Sequence, residues 1–186
     1  MLLDLTELNK LWISAYDGQV DALQVINEAQ TKLPNVTLQL FDLDKVAGSR
    51  HLLLATFNAW KSYNSSRRIS RSLRMEILLF VSGTGQITEA IDRVGINTKT
   101  RKTATLALVS SDDEAKNAST FLNQAFDKDS NDKMLDKWTE HRRESVQAVY
   151  AISTKELKAA MRESEGTEKA IERIAIERSA MLAIGR

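Results

Sequence analysis

Apolar and polar residues alternate over residues 11–16 (LWISAY), 36–42 (VTLQLFD) and 103–110 (TATLALVS). A period of two predicts a β-strand in each. The first ends at the Asp17-Gly18 turn. In the second, Val36, Leu38 and Leu40 share one face and Thr37, Gln39 and Phe41 the other. Elsewhere the period is helical. Residues 19–33 carry Val20, Leu23, Val25 and Ile26 at helical spacing, and Pro34 ends the helix by pushing its predecessor out of the helical region. From Val46 to Tyr63 a stripe of Leu53, Phe57 and Trp60 predicts a long helix, broken by Asn64-Ser65-Ser66. Ser70 is placed to cap the next, Arg71 to Val81, whose stripe of Leu73, Ile77 and Phe80 is widened by Leu78 and Val81. Ser82-Gly83 stops it. A third helix over Gly85 to Val94 has Ile87, Ala90, Ile91 and Val94 on one face, with Gly95 as a left-handed stop.

Towards the C-terminus, Ser111 with Glu114 forms a capping box for a helix to about Phe126. Its buried face is expected to be Ala115, Ala118, Leu122 and Ala125. Residues 127–133 read as a polar loop and Met134 to Arg142 as a helix. Ser153 with Glu156 is a second capping box, opening a short helix to about Arg162. Thr167 starts the last helix, running through Ile171, Ile174 and Ala175 to about Leu182. The pattern predicts an α+β fold: one small mixed or antiparallel sheet packed by several helices, as a single domain over residues 1–186. No internal repeat or low-complexity tract interrupts it.

Composition narrows the function classes. The chain has 186 residues, 42% of them hydrophobic and 27% charged, enough to bury a core without cross-links. It has no cysteine, which excludes disulfides, thiolate metal sites and thiol catalysis. No apolar run approaches the roughly 20 residues that span a bilayer. Met1 to Lys10 carries Asp4 and Glu7 and no cationic stretch, so no signal peptide is predicted and a cytoplasmic location is expected.

Net charge is only +1, but it is unevenly spread. Residues 1–47 hold 3 Lys/Arg against 7 Asp/Glu, residues 48–102 hold 10 against 3, and residues 112–186 hold 13 against 15. A local basic block attracts phosphate even on a near-neutral protein. The alternative is a solvated helix face with scattered arginines.

Catalytic constellations are missing. The two histidines, His51 and His141, have no metal-ligand spacing, and His51 beside Arg50 reads as a surface or helix-packing residue. No nucleophile elbow, phosphate-binding loop or dinucleotide fingerprint is present. Glu7, Asp17 and Asp21 do not form a signature carboxylate pair, and Asp112-Asp113-Glu114 suits a helix N-terminus. Gly83-Thr84-Gly85-Gln86 is either a turn whose free N–H groups hold phosphate or an inter-helix turn with a glycine stop and a threonine cap. No catalytic residue, cofactor or metal is assigned.

The segment from Phe41 to Ile96 has a more specific character. It carries His51-Leu52 leading into an Ala-rich helix to Ala59, then Ile69-Ser70 and Glu76-Ile77-Leu78. A Ser-Gly-x-x-Gln-Ile turn from Ser82 to Ile87 follows, then Ala90-Ile91 and Gly95-Ile96. These elements resemble the KEOPS accessory subunit of the PRPK-binding protein (TPRKB) family, archaeal type. Ile152 to Leu157 and Ile176 to Arg178 resemble it too, so the likeness extends over nearly the whole chain. One position departs: where the family often has a basic residue, Gly85 carries no charge.

The resemblance implies an α+β protein with no active site of its own. Such a protein binds the small atypical kinase of KEOPS and holds the 3′ CCA end of tRNA. The complex installs threonylcarbamoyl on the adenosine beside the anticodon, with the ATP and carbamoyl chemistry on other subunits. The residues agree with that role. Single-stranded RNA ends are held by cations along the backbone and flat side chains under the bases. Lys61, Arg67, Arg68, Arg71 and Arg74 straddle the loop between two helices, with Trp60 and Tyr63 at its entrance. Trp60 shares the apolar stripe, so Tyr63 is the aromatic assigned to RNA, and Gln86 joins from the glycine turn. Met75, Leu79 and Ile87 exceed what one core needs and are assigned to the kinase. The alternative is a protein-interaction module that regulates the kinase without touching RNA; a small-molecule enzyme is the third class.

Overall fold

The computed structural model describes residues 1–6 and 9–184; Glu7 lies outside them. The chain forms two compact units, each built from two stretches of sequence. One comprises Met1–Leu43 and Ile96–Leu135, the other Asp44–Gly95 and the chain from Asp136 onward.

The first unit holds a four-stranded antiparallel sheet in the order β1-β2-β4-β3: β1 Leu2–Asp4, β2 Lys10–Asp17, β3 Thr37–Asp42 and β4 Lys102–Val109. Ile13 lies opposite Leu106, and Phe41 opposite Ala104. The three strands legible from alternation therefore share one sheet; β1, three residues long, is too short to show a period. Gln39 and Phe41 are as buried as Leu38 and Leu40, so the polar character of Gln39 does not mark a solvated face. Two helices complete the unit. Helix α1, Ala22–Lys32, starts later than the spacing suggests, because Asp21 caps it by accepting from Gln24 N–H. Its buried residues are Val25, Ile26 and Ala29, while Leu23 is exposed. Helix α5, Asp112–Phe126, has the expected cap, Glu114 N–H donating to Ser111 Oγ at 3.2 Å. The Glu114 carboxylate reaches back to Ser110 N–H rather than to the cap residue itself. Phe121 and Phe126 take the burial expected of Ala125, which is exposed. Phe126 stacks on Tyr16 with ring centroids 4.3 Å apart, contact area that an alanine cannot supply.

The second unit is helical: α2 Ser49–Tyr63, α3 Leu73–Ser82, α4 Ile87–Val94, α6 Glu140–Val149, α7 Thr154–Ala160 and α8 Thr167–Ile184. Helix α3 is its centre, packing against α2, α4 and α8. Every residue from Glu76 to Ser82 is buried, as suits the unbroken apolar run Ile77 to Val81. Helix α2 buries His51, Leu52, Ala55, Thr56 and Ala59, not the larger stripe of Leu53, Phe57 and Trp60, which is half-buried. Small Ala55 and Ala59 let neighbouring helices approach closely, so the tight face is the small one. Ser72 occupies the cap position of α3 in place of Ser70. Gly83 stops α3 in the left-handed conformation, φ 67°. Gly95 does not share it: at φ −70° it is extended, and glycine is required because a Cβ there would lie 2.5 Å from the Ile91 carbonyl oxygen. Helix α6 begins at Glu140, not Met134. Thr139 caps it, and the buried Arg142 guanidinium holds the preceding segment by donating to the Lys137 and Val46 carbonyls at 2.8 and 2.9 Å. Ser153 caps α7 as expected, accepting from Glu156 N–H.

His51 is fully buried in this unit, so it is a packing residue and not a surface one. Ala47 N–H donates to its Nδ1 at 3.3 Å, which leaves the proton on Nε2, 3.0 Å from Ser179 Oγ. Tyr150 packs edge-on against the ring and donates to the Val81 carbonyl at 2.7 Å. Burial, with the Arg142 charge adding to it, pushes the imidazole down to about 3. Because the folded value lies below the unfolded one, the unfolded chain takes up the proton first, and stability falls as pH drops from about 6.5 towards 3. The loss expected by pH 4.5 is ~3 kcal/mol. Urea melts at pH 7 and 4.5 check it: His51→Gln should show a smaller difference between the two than the parent. Equal differences would mean that His51 titrates normally.

Candidate functional site

The basic residues assigned from sequence fall around the segment joining α2 to α3, residues 64–72. This segment has no regular secondary structure, but it is tied down. The anchor is Glu76, a fully buried carboxylate in the first turn of α3. It accepts from Ile69 N–H at 3.0 Å, from Ser70 N–H at 2.7 Å and from the Ser62 hydroxyl at 2.7 Å. Charge-assisted bonds of this kind are the strong ones. Tyr63 Oη donates to the Arg71 carbonyl at 3.3 Å, Ser65 Oγ to the Ser62 carbonyl at 2.8 Å, and Ser70 Oγ accepts from Ser72 N–H. The loop therefore presents its side chains from a fixed backbone.

Arg67, Arg68 and Arg71 are exposed at the surface of that loop, and Lys61 is exposed on the last turn of α2. None of them, nor Arg74, forms an ion pair among the described residues. The carboxylate at the loop, Glu76, is buried and spent on backbone amides, so it leaves the arginines un-neutralised. Lys61 lies over the Phe57 ring, 5.4 Å from its centroid. Arg74 is half-buried at the start of α3, and burial lowers its pKa. Tyr63 is half-buried with its hydroxyl committed to the loop, so it contributes first to loop shape.

Gln86 does not join this group. It sits at the start of α4, separated from the loop by the ten residues of α3, about 15 Å of helix. The glycine turn is an inter-helix turn. The Thr84 hydroxyl donates to Glu89 at 2.6 Å, and the carboxylate of Glu89, paired with Arg93, stands in the first turn of α4. A phosphate there would meet a negative charge, and Gly85 adds no cation.

The residues assigned to a kinase divide as well. Leu79 is fully buried in the core of its own unit, because α3 is enclosed by its neighbours, so it offers no contact surface. Met75 is half-buried. Ile87 is 44% exposed, and Ile91, one turn further on, is 48% exposed. The apolar face of α4 is thus only half used: Ala90 and Val94 are buried, while two isoleucines four residues apart face outward. The helical period places Ile91 in the core, and nothing local distinguishes it from Ala90. The role of Glu76, too, is invisible to sequence reasoning. Its only signal is a carboxylate next to the apolar run Ile77 to Val81, and the amides it binds cannot be located without the loop.

Among the described residues no group of three or more metal-binding side chains comes together, and no helix is long and apolar enough to cross a membrane. The exposed cations of the α2–α3 loop and the outward isoleucines of α4 are the two surface features of the helical unit. Residues 19–182 match the family described as kinase binding protein CGI-121, and the chain belongs to that family. None of the curated proteins compared with it matches significantly.

Proposed function

We propose that this chain, acting as one accessory domain over residues 1–186, is the non-catalytic KEOPS subunit of archaeal type. In the cytoplasm it binds the PRPK-type kinase and the 3′ CCA end of tRNA, supporting threonylcarbamoyladenosine formation beside the anticodon. The observation that carries the RNA half is the loop of Arg67, Arg68 and Arg71, which form no ion pair among the described residues, held in place by buried Glu76. Cations that have no carboxylate partner, on a backbone that need not be ordered on binding, suit a phosphate chain. Lys61 and Arg74 extend the charge on either side. The deciding measurement is a gel shift with intact tRNA and with tRNA lacking its CCA. The intact RNA should bind more tightly, with affinity that falls as salt rises; equal binding of the two would remove the 3′ end as the ligand.

The kinase half rests on family membership and on the outward face of α4, where Ile87 and Ile91 are exposed, whereas Leu79 is enclosed and Met75 is half-buried on α3. Replacing Ile87 and Ile91 together with Glu should abolish kinase pull-down and leave the circular dichroism spectrum and thermal midpoint near those of the parent, since exposed positions change stability little. Undiminished pull-down would place the kinase contact elsewhere. The second reading, a kinase regulator with no RNA contact, is favoured by this same face, and it prevails if tRNA fails to bind at low salt.

A further inference from the structure

Five serines lie in or beside the segment joining α2 to α3: Ser62, Ser65, Ser66, Ser70 and Ser72. Three have hydroxyls spent on its shape. Ser62 Oγ donates to the Glu76 carboxylate at 2.7 Å, Ser65 Oγ donates to the Ser62 carbonyl at 2.8 Å, and buried Ser70 Oγ accepts from Ser72 N–H at 3.2 Å. Ser72 is half-buried at the cap position of α3. Ser66 alone is both exposed and without a hydrogen bond among the described residues, through side chain or backbone. It stands directly before Arg67 and Arg68, which form no ion pair there. The Glu76 anchor grips Ile69 and Ser70, further along. Drawing Ser66 outward therefore costs only the bonds of Arg67, its N–H to Ser65 Oγ at 3.1 Å and its carbonyl to Ser62 Oγ at 3.2 Å.

We propose that Ser66 is a phosphorylation site, modified by the kinase this chain binds, and that its phosphate switches off the RNA contact. The proposal rests on both halves of the function proposed above. Ser66 Oγ attacks the γ-phosphorus of ATP on the kinase. The new bond is P–Oγ, the bond to the β,γ-bridging oxygen breaks, ADP leaves, and the hydroxyl proton passes to a base of the kinase. A phosphoserine carries about −1.5 to −2 charge at pH 7 and three acceptor oxygens. The cations of Arg67, Arg68 and Arg71 would then be reduced to a net charge of about +1. Arg67 and Arg68 are adjacent in the chain and have no carboxylate to give up, so the phosphate takes their charge-assisted bonds. It competes within its own loop for the donors that an RNA phosphate needs. The other four serines lack this combination: three are committed to the loop and Ser72 caps a helix.

The test co-purifies the full chain with the PRPK-type kinase, adds ATP and Mg²⁺, and maps phosphate by mass spectrometry of tryptic peptides. The peptide Ser62–Arg67 should gain one phosphate in the parent and none in Ser66→Ala. Separated from the kinase, the phosphorylated chain should bind tRNA about tenfold or more weakly than the untreated chain, because cations that neutralised RNA phosphate are lost. Ser66→Ala changes no charge and breaks no hydrogen bond, so it should bind tRNA like the parent before and after ATP. A complex that forms but leaves Ser66 bare, or a phosphate retained on that peptide in Ser66→Ala, overturns the site while the kinase reading stands. Phosphate on Ser66 with undiminished tRNA affinity overturns the switch. Failure of the complex to form overturns the kinase reading and the site together. Failure of the untreated chain to bind tRNA overturns the RNA reading and the switch together.

Discussion

Glu76→Ala should destabilise the protein by ~3 kcal/mol, measured as a fall in urea midpoint at constant slope. The change removes the acceptor for Ile69 N–H and Ser70 N–H, and Ser70 is itself buried. Two backbone donors then face an apolar helix end, and each unsatisfied buried donor costs about 1–3 kcal/mol. The Ser62 hydroxyl softens the loss, because the Arg67 carbonyl lies 3.2 Å away as a second acceptor. Glu76→Gln keeps one acceptor oxygen but aims an NH2 group at the same amides, so it should cost less, about 1–2 kcal/mol. Both variants should also weaken tRNA binding, since the loop must then be ordered on binding. A Glu76→Ala protein that melts with the parent would mean that the loop holds itself.

Reversing Arg67, Arg68 and Arg71 to Glu should separate these effects. All three are exposed, so stability should move by under about 0.5 kcal/mol per site. RNA affinity should fall on the order of a hundredfold or more, because each reversal removes an attraction and adds a repulsion at the same phosphate. The plot of log affinity against log salt should flatten by roughly 0.7 for each phosphate no longer neutralised, about 2 in all. Parent-like affinity with a parent-like salt slope would show the block to be solvated surface. The two experiments form a pair: Glu76→Ala loses both stability and RNA, whereas the arginine reversal loses RNA alone.

The amino-acid order determined the elements and their punctuation. Alternation located β2, β3 and β4, Pro34 and Gly83 ended α1 and α3, and Ser111 and Ser153 capped α5 and α7, because these signals act within a few residues. The concentration of unopposed arginines at 67–74 was equally local, being a matter of composition. Which apolar face is covered was not local. Leu79 and Ile91 both satisfy a helical period, yet one lies at the centre of a helix surrounded by three others and the other faces outward from a helix packed on one side. Burial depends on which neighbours arrive: α3 is covered by α2 and α4, which flank it in sequence, and by α8, roughly a hundred residues along the chain. The same holds for Glu76 and His51. Only the packed structure decides that Glu76 grips a loop and that His51 is sealed against Ser179. A polar side chain acquires its role from the groups brought to it by distant parts of the chain, and sequence spacing records only the groups nearby.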